Sequence, residues 1–461
     1  MVSVQELSQI RPSKRQIDWQ ETEFYGFIHF GMNTMTNKEW GDGQDSLALF
    51  DPPSVDCRQW VKGLKQGGMK GLILTCKHHD GFCLWPTQTS AYSVKNTPWK
   101  NGQGDLVAEV SQACAEENMK FGIYLSPWDR HAPVYGSGEA YDAFYIAQLT
   151  ELLTHYGDIF EVWFDGANGE VAGKQQRYDW QRYFDCVRQL QPQAVMAVCG
   201  PDVRWVGNEA GHTRVDEWSV VPEALLSAER TMAESQKVDD GTFGRANSAQ
   251  QDLGSQTVLA AYQGKLVWYP AEVNTSIRPG WFYHAHEDQA LRSSEELFTI
   301  YQQAVGGNST FLLNVPPMPN GLMAPNDLIV LNELGEKINA LKKENHVPTA
   351  TCQLTNLIVD PNTQTYRSVQ PQEPAQLLFE WAEPVELSGV SLKEVISFGQ
   401  QIESYQIYTK VDGQDELLAT GNAIGYQRIV RFPKRALTSL DVRILKSRGN
   451  YHIEEVRTIS L

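Results

Sequence analysis

The sequence has no run of 18 apolar residues, so no segment reads as a membrane-spanning helix. Its opening, MVSVQELSQIRPSKRQIDW, has no apolar h-region, which predicts a protein that is cytoplasmic, or secreted with its signal already removed. The seven cysteines never form a C-x-x-C pair, which argues against a structural zinc site or a disulfide framework. Positive charge is in deficit, with 39 Lys+Arg against 56 Asp+Glu and a net charge of −17 over 461 residues. Such a surface repels phosphate backbones and anionic lipid, so neither nucleic acid nor a membrane is an expected partner. There is no internal repeat, no low-complexity tract, and no Walker-type or G-x-G-x-x-G loop.

What is abundant is tryptophan. Twelve of the 13 fall between Trp19 and Trp281, and only Trp381 lies beyond. Over the same stretch, apolar runs at 25–30, 71–76, 121–125, 160–164, 195–198 and 266–269 alternate with amphipathic segments at 57–66, 106–118, 139–156 and 177–191. Ser293-Ser-Glu-Glu opens a later helix with a capping-box pattern. Alternating strands and helices imply a parallel sheet, either doubly wound or closed. His29, His78, Tyr124 and Asp165 each close an apolar run with a polar group. Polar residues at successive strand ends are how a (β/α)8 barrel builds a site, whereas a doubly-wound nucleotide fold wants a glycine-rich loop after its first strand. The first such position reads His29-Phe-Gly-Met-Asn-Thr, so the barrel is favoured. Past residue 345 the pattern changes to short alternating strands without helices, at 377–381, 390–395, 405–408, 429–432, 442–445 and 456–459. The expected architecture is an α/β chain: a catalytic (β/α)8-type barrel over 1–345, then an accessory C-terminal antiparallel β-sandwich over 346–461.

Three features could carry chemistry. The first is Lys77-His78-His79-Asp80. A metal would take His29, His78 and Asp80, but the adjacent His78 and His79 point to opposite faces of a strand and could share one ion only if its end is distorted, and no H-x-H or H-E-x-x-H accompanies them. Neutral imidazoles bonding a polyhydroxylated ligand fit better, so no metal and no cofactor are expected. The second is Trp163-Phe-Asp165-Gly, which reads either as a turn aspartate or as a carboxylate nucleophile beside an aromatic platform. A glycosidase needs a second carboxyl group in a different environment, and Glu209, Asp216, Glu217 and Glu272 are candidates that spacing does not separate. For Asp216 and Glu217 the plainer alternative is a solvated surface pair. The third is a supply of rings, Glu39-Trp40 and Arg278-Pro-Gly-Trp281, suited to the apolar face of a sugar; most other tryptophans belong to the core. Sequons at Asn274 and Asn308 fall in expected active-site loops and read as chance matches.

Phe27-Ile-His29-Phe-Gly, Glu39-Trp40, Lys77-His-His-Asp-Gly-Phe82, Phe121-Gly-Ile-Tyr124-Leu-Ser and Val162-Trp-Phe-Asp-Gly166 together resemble the retaining α-L-fucosidases of glycoside hydrolase family 29. Ser397-Phe-Gly-Gln-Gln-Ile-Glu-Ser-Tyr405 is similar to that family's β-sandwich. The resemblance implies that Asp165 is the nucleophile. It also implies that His29, Glu39, Trp40, His78, His79, Tyr124 and Trp163 hold the fucose hydroxyls or pack on its ring and methyl. Trp205-Val-Gly-Asn-Glu209-Ala-Gly, with Pro270-Ala-Glu272 and Arg278-Pro-Gly-Trp281, resembles the branch acting on α-1,3/1,4 linkages. That branch makes Glu209 the acid/base and puts Glu272 and Trp281 in the pocket. The arginine that other members place near the nucleophile has no match and is not assigned. The implied substrate is a fucosylated oligosaccharide or glycoconjugate. The alternatives are an α-L-fucosidase of broader or α-1,2/1,6 preference and a non-catalytic fucose-binding barrel. No oligomeric state is assigned.

Overall fold

The computed structural model describes residues 3–234 and 252–461. Eight parallel strands form the first sheet: β1 Phe24–Ile28, β2 Gly71–Lys77, β3 Lys120–Leu125, β4 Glu161–Phe164, β5 Val195–Val198, β6 Arg204–Trp205, β7 Ala271–Ser276 and β8 Thr310–Asn314. Their order is β5-β4-β3-β2-β1-β8-β7-β6, and a parallel bridge from Ala197 to Val203 joins the two edges. The sheet is a closed barrel, as expected. Both faces are covered, which is why a strand such as β2 reads as an unbroken apolar run, buried at every residue.

Helices Cys57–Gln66, Leu106–Glu116, Trp180–Leu190 and Ser294–Ala304 pack outside it, each started by a side chain (Asp56, Asp105, Asp179, Ser293) that accepts a first-turn N–H. Glu139–His155 and Pro325–Lys343 complete the outer layer. In Cys57–Gln66 the buried residues Cys57, Trp60, Val61 and Leu64 repeat at helical spacing and face the barrel wall.

Two departures from the sequence reading concern the far side of the barrel. The apolar run at 266–269 is not a barrel strand; Leu266–Trp268 pairs antiparallel with Val220–Pro222. The strands that were not foreseen are β6, β7 and β8. β6 is two residues long, and five residues without a helix connect β5 to it. β7 reads Ala-Glu-Val-Asn-Thr-Ser, because Glu272, Asn274 and Ser276 sit inside the barrel and bond to other buried polar groups.

The barrel interior is layered. Trp19, from helix Lys14–Gln20, contributes to the apolar cluster at its base with Tyr25 and Phe27. Its indole N–H donates to Glu161 Oε2 at 2.9 Å. From Thr351 onward a continuous antiparallel sheet folds over itself around Leu377, Tyr405, Leu440, Val442 and Ile453. Its two 20-residue strands, Ala375–Glu394 and Arg428–Ser447, each change register where they bend. Buried Glu23 joins barrel and sandwich. It receives Lys70, Lys342, Lys393 and the Tyr426 hydroxyl, and although burial opposes its charge, the lysines hold its carboxyl down at about 2.

Candidate active site

A cavity of about 500 Å³ lies at the C-terminal ends of the strands. Ten of the eleven site residues named from sequence line it: His29, Glu39, Trp40, His78, His79, Tyr124, Trp163, Asp165, Glu209 and Trp281. The exception is Glu272.

Asp165 follows β4 and is held at both oxygens. The Tyr124 hydroxyl donates to Oδ2 at 2.7 Å, and the Ala167 N–H donates to Oδ1 at 2.8 Å. Tyr124 is fully buried, and burial followed by the charge of Asp165 raises its phenol well above the ordinary value, so it remains a donor. The His79 Nε2 stands 3.9 Å from Asp165 Oδ2.

The histidines are neutral, and the network assigns their tautomers. Ser126 Oγ donates to the Trp128 carbonyl at 2.7 Å, so the 2.7 Å contact with His79 must carry the proton on His79 Nδ1. The Asn314 amide nitrogen donates to Ser276 Oγ and the Trp281 carbonyl, so Asn314 Oδ1 accepts from His29 Nδ1 at 2.8 Å. Burial pushes His29 down to about 3, His79 to about 4, and His78 well below its ordinary value. His29 and His79 therefore keep bare Nε2 lone pairs. His79 Nε2 and Asp165 Oδ2 are two acceptors facing each other, an arrangement that suits a hydroxyl hydrogen bond donor between them.

Glu209 lies on the loop after β6. Asn208 stiffens that loop: its Oδ1 accepts from the N–H groups of Ala210 and His212, and its Nδ2 donates to the His212 carbonyl, each at 3.0 Å. Glu209 is half-buried. Burial, then the nearby charge of Asp165, raises its carboxyl to about 8, against a smaller opposing effect of a hydrogen bond with Trp281. A carboxyl at that value is mostly protonated at neutral pH. The competing carboxyls are elsewhere. Glu217 is not a solvated surface residue: it is 2% exposed and clamped between Arg204 and Arg214. Asp216 meets Asn422 and Arg428 of the sandwich.

Glu272 corrects the sequence reading. It is fully buried on β7 inside the barrel, not in the cavity wall, and its Oε1 accepts the Trp163 indole N–H at 2.7 Å. Its other oxygen accepts from the Tyr25 hydroxyl. Glu161 Oε1, which lacks a donor partner, sits beside it. Burial followed by the charge of Glu272 raises Glu161 well above its ordinary value. The pair supports Trp163 from below. We expect Glu272→Gln to unfold more easily by about 1–3 kcal/mol in denaturant melts and to keep measurable turnover; undiminished stability with lost sugar binding would place this carboxyl at the ligand instead.

Glu39 is both wall and brace. It accepts the N–H groups of Trp281 and Phe282 at 2.9 Å and contacts His284 Nε2 at 2.8 Å, fixing the loop that carries Trp281. A Cβ on Gly280 would lie 2.7 Å from Glu39 Oε1, so this close approach needs glycine. Arg278, fully buried and paired twice with Asp327, anchors the loop's base. His284 and Asn274 also line the cavity and were missed. Asn274 Oδ1 accepts from the Trp205 indole at 2.9 Å, leaving the amide nitrogen without a partner. Its sequence marked only a sequon, yet it lies buried on β7 rather than in a loop. Asn308 is likewise buried, bonded to the sandwich at Tyr426.

A model of the family described as alpha-L-fucosidase matches residues 12–342. The chain belongs to the alpha-L-fucosidase family. It is a glycoside hydrolase, 37% identical over 437 residues to Alpha-L-fucosidase 1 of Arabidopsis thaliana, covering 91% of this chain and 81% of that protein. Among solved structures, a glycoside hydrolase 29 family member from an unknown rumen bacterium superposes with a TM-score of 0.80 at 36% identity, covering 98% of this chain and 77% of that one. A Ruminococcus gnavus GH29 fucosidase solved in complex with fucose gives 0.85 at 28% identity, covering 98% and 95%. Among the described residues of this family member, no helix is long and apolar enough to cross a membrane.

Proposed function

We propose that this chain is an exo-acting, retaining α-L-fucosidase that removes terminal α-1,3/1,4-linked L-fucose from branched glycans. The observation that carries the reading is the pairing of Asp165 with a protonated Glu209 in one cavity: two carboxyl groups whose environments differ. Of the second carboxyls considered, Glu209 alone is in the cavity wall.

In the first step Asp165 attacks the anomeric carbon while Glu209 gives its proton to the leaving glycosidic oxygen, forming a fucosyl ester on Asp165. Tyr124 and the Ala167 N–H fix the carboxylate plane for this attack. In the second step the Glu209 carboxylate takes a proton from water, which displaces Asp165 and restores both groups. The bare Nε2 atoms of His29 and His79 accept sugar hydroxyls; Trp40, Trp163 and Trp281 supply apolar faces.

The linkage preference rests on the resemblance of the Glu209, Glu272 and Trp281 segments to one branch of the family. Incubation with a Lewis trisaccharide and with a linear α-1,2-fucoside tests it. Faster release from the trisaccharide is expected; faster release from the linear substrate overturns the preference and leaves the fucosidase assignment standing.

A further inference from the structure

A second cavity, of about 720 Å³, shares no lining residue with the catalytic one and lies between the segment around Arg11 and the sandwich. Three arginines line it: Arg11, Arg367 and Arg448. Arg11 donates to the backbone carbonyls of Ser8 and Ile10, and neither it nor Arg367 forms an ion pair among the described residues. Arg448 is 2% exposed; Glu403 takes its Nε and the Gly254 carbonyl its Nη2, but Nη1 has no partner. Asp360 stands close enough to feel Arg367 and His452, yet its Oδ1 is spent on the N–H groups of Asn362 and Thr363. Glu403 and the nearby Glu394 offset Arg448, so the positive charge this wall offers a ligand comes from Arg11 and Arg367, with Asp360 beside Arg367 as the nearest acid.

The wall also carries a ring. Phe398 lies parallel on His452, centroids 4.2 Å apart and planes 6° apart, and is itself 41% exposed. One face is covered by the imidazole, leaving the rest of the ring open beside the guanidinium groups. The junction is built tightly: a Cβ on Gly399, whose φ is 82°, would lie 2.7 Å from Arg11 Nη1. An open aromatic surface packs the C–H face of a pyranose, and unpaired guanidinium groups bind carboxylate or sulfate.

We propose that this cavity is an accessory glycan-binding site for an acidic sugar residue, one bearing a carboxylate or a sulfate ester. Arg367 and Arg11 meet the anionic group, and Phe398 stacks on the ring. A glycosidase with such a site would be held near acidic termini of the same glycan while its barrel removes a neutral sugar.

Calorimetric titration of the full chain tests this with four probes: the methyl α-glycoside of N-acetylneuraminic acid, 6-O-sulfated N-acetylglucosamine, methyl β-galactoside and inorganic sulfate. At least one acidic sugar should bind about tenfold more tightly than the neutral galactoside, as one charge-assisted bidentate contact supplies. Arg367→Ala should cut that affinity about tenfold and Phe398→Ala should weaken it severalfold, both with unchanged hydrolysis of an aryl fucoside. Both residues are exposed, so the variants should fold. Sulfate binding as tightly as the acidic sugars, with Phe398→Ala indifferent, would reduce the site to a simple anion pocket and overturn the sugar assignment. Absence of binding by both acidic sugars overturns the proposal entirely.

Discussion

Asp165→Asn should lower turnover of an aryl α-L-fucoside by on the order of 10⁴-fold or more, with the fold intact. The amide removes the attacking oxygen's charge without changing its size. Tyr124 can still donate to the remaining carbonyl oxygen, but the Ala167 N–H then faces the amide NH2, so the melting temperature should fall modestly while the fold is kept. If the sugar is held as proposed, mainly by the imidazoles of His29 and His79 and the rings around them, the loss should appear in kcat more than in affinity. A Tyr124→Phe variant offers the graded counterpart. It removes one donor to Asp165 and should cost far less than removing the carboxylate itself.

Glu209→Gln should act through the leaving group. On substrates with poor leaving groups the rate should fall about 10²–10⁴-fold, the range of a lost general acid, and on an activated aryl fucoside the first step should suffer little. Azide, which needs no general base, should then restore turnover. The pH profile supplies a second signature. As the proposed general acid, Glu209 would act in its protonated form, and its carboxyl stands at about 8, so kcat/KM should fall as pH rises through about 8. In Glu209→Gln that alkaline limb should vanish. Azide rescue of Glu217→Gln instead would move the acid/base to a carboxyl now held by Arg204 and Arg214.

The near half of the barrel was legible because its chemistry breaks its own pattern. At His29, His78 and Asp165 a polar side chain ends an apolar run, and a barrel places such breaks at its mouth. The far half hid for the same physical reason inverted. β7 faces the interior with Glu272, Asn274 and Ser276, so an interior strand reads as polar, while the apolar run at 266–269 belongs to a small antiparallel pair. β6 is too short to show any period. Depth along a strand was equally invisible. Glu272 and Asn274 are two residues apart on one face, yet only Asn274 reaches the cavity. Glu217 looked solvent-facing because its two arginine partners, Arg204 and Arg214, are ordinary surface residues in sequence. The brace from Glu39 to His284 spans 245 positions and has no local signature.

The central claim is that Asp165 becomes covalently bonded to fucose during turnover. Brief reaction of the full chain with 2-deoxy-2-fluoro-L-fucosyl fluoride, followed by peptide mapping, tests it most directly, since the fluorine slows breakdown of the ester. The expected result is one fucosyl adduct on the peptide carrying Asp165, with activity lost in proportion. An adduct on any other carboxyl, or steady turnover of this reagent with inversion at the anomeric carbon and no adduct, would contradict the account.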